Sequence, residues 1–332
     1  MFVIEKMKTA LSTGALVIVS FLYVLVNFCN AQEPDPAANT PESGMVPDNF
    51  VWMGVRQPSH VLIADKEKRT LTVWSHIQDM AVFVGAFPMD IGKNNGDKFI
   101  AGDARTPEGI YFFQDKLEGD QINFDEYGRR AFTLDYPNFF DSLAGKTGHG
   151  IWLHAVPETV SLKRGSRGCV VVRNEIIDKL TPMISLKNTP LLILNKVNYV
   201  KPEKLQESSK SVISWLEGWR SSWESKNIES YMAYYNNKFK AMKMGKDKWR
   251  NYKSGLNQKY SYIKVGVRDP LIISRNNELV LRFIQEYESD GLKDTGEKTL
   301  YVKKDSSNQY EIITEYWRSL NHDLLAKKQI GE

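Results

Sequence analysis

Two observations predict a mainly β, sandwich- or barrel-like N-terminal domain followed by an α+β domain. Between His60 and Val197, short runs rich in β-branched and aromatic residues recur between turn residues. After Pro202 the order changes to helical patterns followed by a run of strand patterns. With 332 residues the chain is long enough for two ordinary domains, and 25% charged and 42% hydrophobic residues make a globular balance.

In the first domain, residues 61–64 and 70–74 flank the turn 65–69, which is the pattern of a hairpin. Residues 80–87 form a further strand pattern, and 92–97 a loop. The turn Thr106-Pro107-Glu108-Gly109 leads into a strand at 110–113. Two more β-rich runs are 150–154, with His154 at the end of its strand, and 169–172; residues 189–197 close the domain as its last strand. In the second domain, Trp215, Trp219 and Trp223 stand four residues apart, which in a helix puts all three on one face, buried against a sheet. Residues 228–239 predict a second helix, and 260–267, 279–287, 298–302 and 310–317 predict strands.

The N-terminus has a short basic start, an apolar run from about residue 10 to 28, and the small-x-Ala exit Cys29-Asn30-Ala31. This predicts a secretory signal at 1–31, cleaved after Ala31, with an uncleaved membrane anchor as the rival. Asn27 and Phe28 stand where a lipoprotein signal has small residues. Residues 32–57 carry Pro34, Pro36, Pro41 and Pro47 and predict a flexible linker. The remaining divisions are a domain at 58–198, a polar linker at 199–207, a second domain at 208–320 and a tail at 321–332. A net charge of +4 without a Lys/Arg run gives no argument for nucleic acid, and mild basicity suits an anionic polymer such as cell wall. No second apolar segment is long enough to cross a membrane.

Only two cysteines occur, and Cys29 falls within the signal. An exported protein would then hold one thiol, Cys169, with no disulfide partner. A lone cysteine is as readily a buried core residue as a nucleophile. A nucleophile needs a base within hydrogen-bond reach, and the two upstream candidates are His149, in a glycine loop, and His154, fifteen positions before Cys169. His60, His76 and His322 carry no motif. Gly168 permits close backbone approach, so the amides of Gly168 and Cys169 are candidates for an oxyanion hole. No Cys/His cluster has metal-site spacing, and no metal or cofactor is expected.

His154-Ala155-Val156-Pro157 followed by Ser166-Arg167-Gly168-Cys169 resembles the L,D-transpeptidase catalytic (YkuD) domain, as do the turn at 106–109 and the hairpin at 61–74. The resemblance covers roughly residues 58–198 and implies a YkuD-like sandwich or barrel. Arg167 replaces the histidine of the family's Ser-His-Gly-Cys turn, and Val171 stands where an arginine is common. These departures resemble a subgroup of wall-trimming enzymes that includes the L,D-carboxypeptidases of helical cell shape. Segments 92–98, 102–103, 134–138 and 148–154 are similar to the same subgroup. Residues 208–320 resemble the nuclear-transport-factor-two-like domain that the subgroup carries.

The resemblance implies Cys169 as nucleophile, His154 as base and the Ala155 carbonyl as the group orienting the imidazole. Ser166 and Arg167 would shape the turn near the substrate, with Arg167 either holding a substrate carboxylate or simply solvated. His149, Tyr136, Asn138, Trp152, Arg173 and Asn174 are further candidate substrate-binding residues. The implied function is removal of the terminal D-alanine from peptidoglycan stem tetrapeptides by a periplasmic enzyme. The alternatives are L,D-transpeptidation, including attachment or release of a wall-linked protein, and a non-catalytic wall-binding module, against which the His154–Cys169 pair argues. Expected partners are stem peptides and, through the C-terminal domain, wall material or a wall-associated protein. No nucleic acid is expected, and the membrane would be met only through an uncleaved signal.

Overall fold

Successive residues of a strand face opposite ways, and in the first long strands both sets are apolar. Val61 to Ala64, Ile110 to Phe113 and Leu191 to Leu194 are all buried. A sheet made of such strands must be covered on both faces. The computed structural model shows what covers them. It describes residues 40–53, 60–77, 80–163 and 165–320, all within one compact unit, Glu33–Glu332. The signal with Cys29, the first part of the linker, and the tail with His322 lie outside the described residues.

In chain order the strands of the first half are β1 (Val46–Pro47), β2 (Phe50–Met53), β3 (His60–Asp65), β4 (Thr70–Ile77), β5 (Met80–Pro88), β6 (Gly109–Glu118), β7 (Arg130–Leu134), β8 (Trp152–Val156), β9 (Val170–Arg173), β10 (Pro190–Leu194) and β11 (Tyr199–Val200). Among the described residues three α-helices accompany them: α1 (Phe124–Tyr127), α2 (Phe139–Leu143) and α3 (Asn174–Leu180). Eight strands form one sheet in the order β5-β4-β3-β10-β6-β7-β8-β9. Pairing is antiparallel except for β3 with β10 and β8 with β9. The last long strand in sequence, β10, therefore lies inside the sheet rather than at its end.

The second half contains α4 (Pro202–Glu224), α5 (Ile228–Met232), β12 (Lys240–Ala241), β13 (Met244–Gly245), α6 (Lys246–Lys259), β14 (Ile263–Arg275), β15 (Glu278–Ser289), β16 (Lys293–Lys304) and β17 (Tyr310–Ser319). Its sheet has the order β17-β16-β15-β14-β2. On β14, Ile272 faces a core with Trp219, Trp223 and Phe283, whereas Leu271 and Ile273 face Val61, Ile63 and Phe112 of the first sheet. The two sheets thus cover each other, and the opposite face of the first sheet buries Leu62, Tyr111, Phe132 and Ile177.

Several expectations are corrected. The predicted linker 32–57 supplies β1, paired with β11, and β2, an edge strand of the C-terminal sheet. Its apolar residues Val46, Phe50 and Val51 are buried in the cores of the two halves, which a flexible tether would leave in water. The predicted linker 199–207 is likewise structured: β11 occupies its start and α4 begins at Pro202. The helix predicted at 228–239 stops at Met232, after which Tyr235 bridges to Ile312 and Phe239 packs into the core. Of the tryptophan stripe, Trp219 and Trp223 are buried and Trp215 is half-buried against the same core. His154 sits in the middle of β8, not at its end.

Candidate active site

The site forms where β8 and β9 run side by side. Their parallel register sets Leu153 beside Val170 and His154 beside Val171, so Cys169, one residue before β9, lies next to the start of β8. The turn that delivers Cys169 is held from within. Ser166 Oγ donates to the Cys169 carbonyl at 2.7 Å and accepts from the Gly168 amide at 3.1 Å. Gly168 has φ +133°, and a Cβ there would lie 2.7 Å from the Arg105 carbonyl oxygen, so only glycine fits without strain. The loop after β5 holds the turn from outside. Asp90 and Val171 exchange backbone hydrogen bonds at 2.7 and 2.9 Å, and the Lys93 amide donates to the Ser166 carbonyl at 2.9 Å.

The thiol and the imidazole are both nearly enclosed, at 9% and 6% exposure. The Cys169 thiol donates to the Gly150 carbonyl, with Sγ 3.6 Å from the oxygen, and the Trp152 backbone amide hydrogen-bonds the sulfur. His154 Nδ1 lies 2.8 Å from the Ala155 carbonyl oxygen. A carbonyl only accepts, so Nδ1 carries the proton and Nε2 is the basic nitrogen. The Tyr127 ring stands edge-on to the imidazole, with centroids 5.1 Å apart. Burial pushes His154 down to about 4, against weaker support for the cation from the Ala155 carbonyl and the Glu126 charge. Burial pushes the Cys169 thiol up to about 11, against the Trp152 amide and the charges of Arg167 and Lys98. Both groups are therefore neutral at pH 7.

The pair lines a cleft of about 820 Å³, within the range of small-ligand sites. His149, Trp152, Ser166 and Arg167 also line it. Arg167 is 84% exposed and lies 3.7 Å from Glu126, so its guanidinium is available at the mouth. Val171 is buried with Cys169, Val156 and Leu162, which makes that wall apolar.

Four expected substrate-binding residues do not line the cleft, because their polar groups hold the scaffold. Tyr136 donates to the Thr147 carbonyl at 3.0 Å. Asn138 caps α2 and donates to the Ile110 carbonyl at 3.0 Å. Arg173 donates to the carbonyls of Pro157 and Val160, pinning the loop after β8. Asn174 Oδ1 accepts the Arg129 amide at 2.7 Å. The Gly168 amide, expected as an oxyanion donor, is engaged by Ser166 Oγ. Sequence reasoning missed Tyr127 and Glu126, which α1 sets over β8, and Lys98, which is buried with Asp103 at 2.7 Å. Lys98 and Asp103 both fall in segments similar to the trimming subgroup; the four-residue helix α1 has no periodicity to read.

Comparison with known proteins agrees with this geometry. The L,D-transpeptidase catalytic domain (YkuD) matches residues 59–193, and the Cds6 C-terminal NTF2-like domain matches residues 211–316. The chain belongs to the L,D-transpeptidase (YkuD) family, in a form that carries an NTF2-like domain after the catalytic one. It is thus a cysteine-dependent enzyme of a family that acts on peptidoglycan peptides. Among solved structures, Bd1075 of Bdellovibrio bacteriovorus is 41% identical with a TM-score of 0.77, over 83% of this chain and 99% of that one. The helical cell shape determining protein Pgp2 of Campylobacter jejuni is 26% identical with a TM-score of 0.65, over 81% of this chain and 96% of that one. No curated protein sequence matches the chain.

Proposed function

We propose that the protein is a periplasmic L,D-carboxypeptidase that removes the terminal D-alanine from peptidoglycan stem tetrapeptides. His154 Nε2 takes the proton from Cys169 as Sγ attacks the carbonyl carbon of the L-centre of the diamino acid. The tetrahedral intermediate collapses, the C–N bond breaks, and the imidazolium protonates the leaving amine of D-alanine. Water, deprotonated by the same Nε2, then hydrolyses the thioester and returns the proton to sulfur. The observation that carries this reading is that a nucleophile and a base with a fixed tautomer line one cleft. The preference for trimming is supported by Arg167 and Val171, the departures that resemble the wall-trimming subgroup, and by the NTF2-like domain that follows. The exposed Arg167 guanidinium is a candidate partner for a substrate carboxylate.

The test is incubation of the protein and its Cys169→Ala variant with purified tetrapeptide muropeptides and free D-amino acids, with products read by mass spectrometry. Loss of one alanine that depends on Cys169 supports the reading. Exchanged or cross-linked products overturn it in favour of transpeptidation, and an unchanged substrate points to another wall bond or a binding role. For the C-terminal domain the proposed role is to hold wall material or a wall-associated protein, and Tyr252, Tyr262, Tyr316 and Trp317 are among its exposed aromatic residues. Equal sedimentation of Cys169→Ala protein with and without purified sacculi would remove the wall-binding half of that role.

A further inference from the structure

The loop at 92–106 touches the nucleophile turn at one end and the domain seam at the other. At the turn, Gly92 bridges to Ser166, the Lys93 amide donates to the Ser166 carbonyl at 2.9 Å, and the Arg105 carbonyl packs against Gly168. Lys98, in the middle of the loop, lines the cleft. At the seam, Asp97 Oδ1 accepts the Glu108 amide at 2.7 Å, and Lys146 pairs with Asp97 at 2.8 Å. Lys66 donates to the carbonyls of Gly96 and Thr106, at 2.7 and 2.9 Å, and pairs with Glu108 at 2.9 Å. The loop is therefore closed at its base by two acids and two buried lysines of its own domain.

A third cation reaches this base from the other domain. Arg275, at the end of β14, has Nη2 3.6 Å from Glu108 and 4.0 Å from Asp97, and Nη1 3.3 Å from Glu278. The side chains of Arg275, Glu108, Asp97 and Glu278 are only 15–20% exposed, so water and salt screen them poorly. Without the guanidinium the three carboxylates would face one another across the seam with less neutralising charge. The loop base would relax, and the relaxation would pass along a short, hydrogen-bonded path to Ser166 and Gly168.

We propose that Arg275 is a positioning residue: the C-terminal domain sets the geometry of the nucleophile turn through Arg275, the Asp97–Glu108 pair and the loop 92–106. The catalytic domain then depends on its neighbour for alignment as well as for cover. Misplacement of a reacting group by about 1 Å can cost about 100-fold in rate, so a small relaxation is enough to be measured.

The test uses the purified protein with Arg275→Gln, Arg275→Lys and, as a seam control, Lys303→Gln, which removes a partner of Glu278 at 3.2 Å that does not touch the loop. Hydrogen exchange and D-alanine release are measured on each. In Arg275→Gln, exchange is expected to rise in peptides covering 90–108 and 165–169 while β3 and β10 keep their protection, with kcat down about tenfold and KM within about twofold. Arg275→Lys should fall between this variant and the wild type, and Lys303→Gln should match the wild type. Wild-type protection and kcat in Arg275→Gln, an equal effect in Lys303→Gln, or loss of protection spread over the whole first sheet would each overturn the proposal. Should Arg275→Gln fail to melt cooperatively, Arg275→Lys decides: partial loss of loop protection supports the proposal and wild-type protection overturns it. The kinetic readout rests on the carboxypeptidase reading but the exchange readout does not, so a wild-type protein that releases no D-alanine sinks only the former.

Discussion

His154 Nδ1 and the carbonyl oxygen of Ala155, the next residue of the same strand, are 2.8 Å apart. The bond fixes which nitrogen is basic but adds no formal negative charge to hold a second proton. An aspartate in that place would favour the imidazolium; a carbonyl leaves burial in control, and the ring stays neutral down to about pH 4. Burial pushes the thiol up to about 11, so in the proposed mechanism proton transfer accompanies attack.

The first prediction concerns rate against pH. Turnover under kcat/KM conditions should lose activity on the acid side only as pH approaches about 4 and stay level through the neutral range, with no limb near 6.5. A pH–rate profile of D-alanine release checks this. A bell centred near neutrality would mean that a preformed thiolate–imidazolium pair reacts instead.

The second concerns stability against pH. The unfolded chain binds a proton at His154 near 6.5 and the folded chain only near 4, so the unfolded state holds more protons between them. Stability therefore falls as pH drops through that window, by about 3 kcal/mol in all from this group. Urea unfolding of the wild type and His154→Gln at pH 7 and pH 4.5 should show a steeper loss in the wild type. Parallel losses would contradict the assignment.

The third concerns Gly168. In Gly168→Ala the Cβ would meet the Arg105 carbonyl oxygen at 2.7 Å and Ile151 Cδ1 at 2.9 Å, in a backbone region that L residues rarely adopt. The expected cost is about 1–3 kcal/mol in stability and about 100-fold or more in turnover, since the turn that carries Cys169 must shift. Thermal melting and D-alanine release measured on the same sample check both; wild-type turnover would show that the turn tolerates the move.

The fourth concerns Lys253. The residue is 4% exposed, with Nζ 3.6 Å from the Trp223 ring centroid and 4.8 Å from that of Trp249. Burial pulls it down to about 7, partly offset by the charge of Glu315. The unfolded chain keeps this proton up to about 10.5, so this group makes stability rise with pH between about 7 and 10.5. Lys253→Met keeps the volume and removes the charge, and should stabilise the protein at pH 7 by about 1–4 kcal/mol, less near pH 10. Melting at the two pH values decides; a destabilised variant would make the cation–aromatic contacts the larger effect.

That His154 and Cys169 line one cleft was approachable from the sequence because each belongs to a β-rich run, and the two runs pair in parallel, although His154 lies within its strand rather than at its end. The doubly buried strands were legible because continuous apolar runs such as Val61-Leu62-Ile63-Ala64 have few other homes. Helix α6 was not legible, because only Trp249 and Lys253 among its residues are buried, which gives no apolar stripe. Tyr136, Asn138, Arg173 and Asn174 stand near the motifs in sequence, but proximity says nothing of where a side chain points. Nor could pattern reveal that Phe50–Met53 belongs to a sheet whose other strands begin more than two hundred residues later.

That last strand has a consequence for how the molecule comes to exist. Asn49 donates to the Ser274 carbonyl at 2.9 Å across 225 residues of sequence, so the C-terminal sheet is finished by residues made before the catalytic domain. During synthesis an early strand must wait, unpaired, until almost the whole chain has appeared, and its pairing closes a loop of more than two hundred residues. The two halves are consequently not interchangeable cassettes. A recombination that exchanged one domain at the boundary near residue 200 would leave the C-terminal sheet with a foreign edge strand.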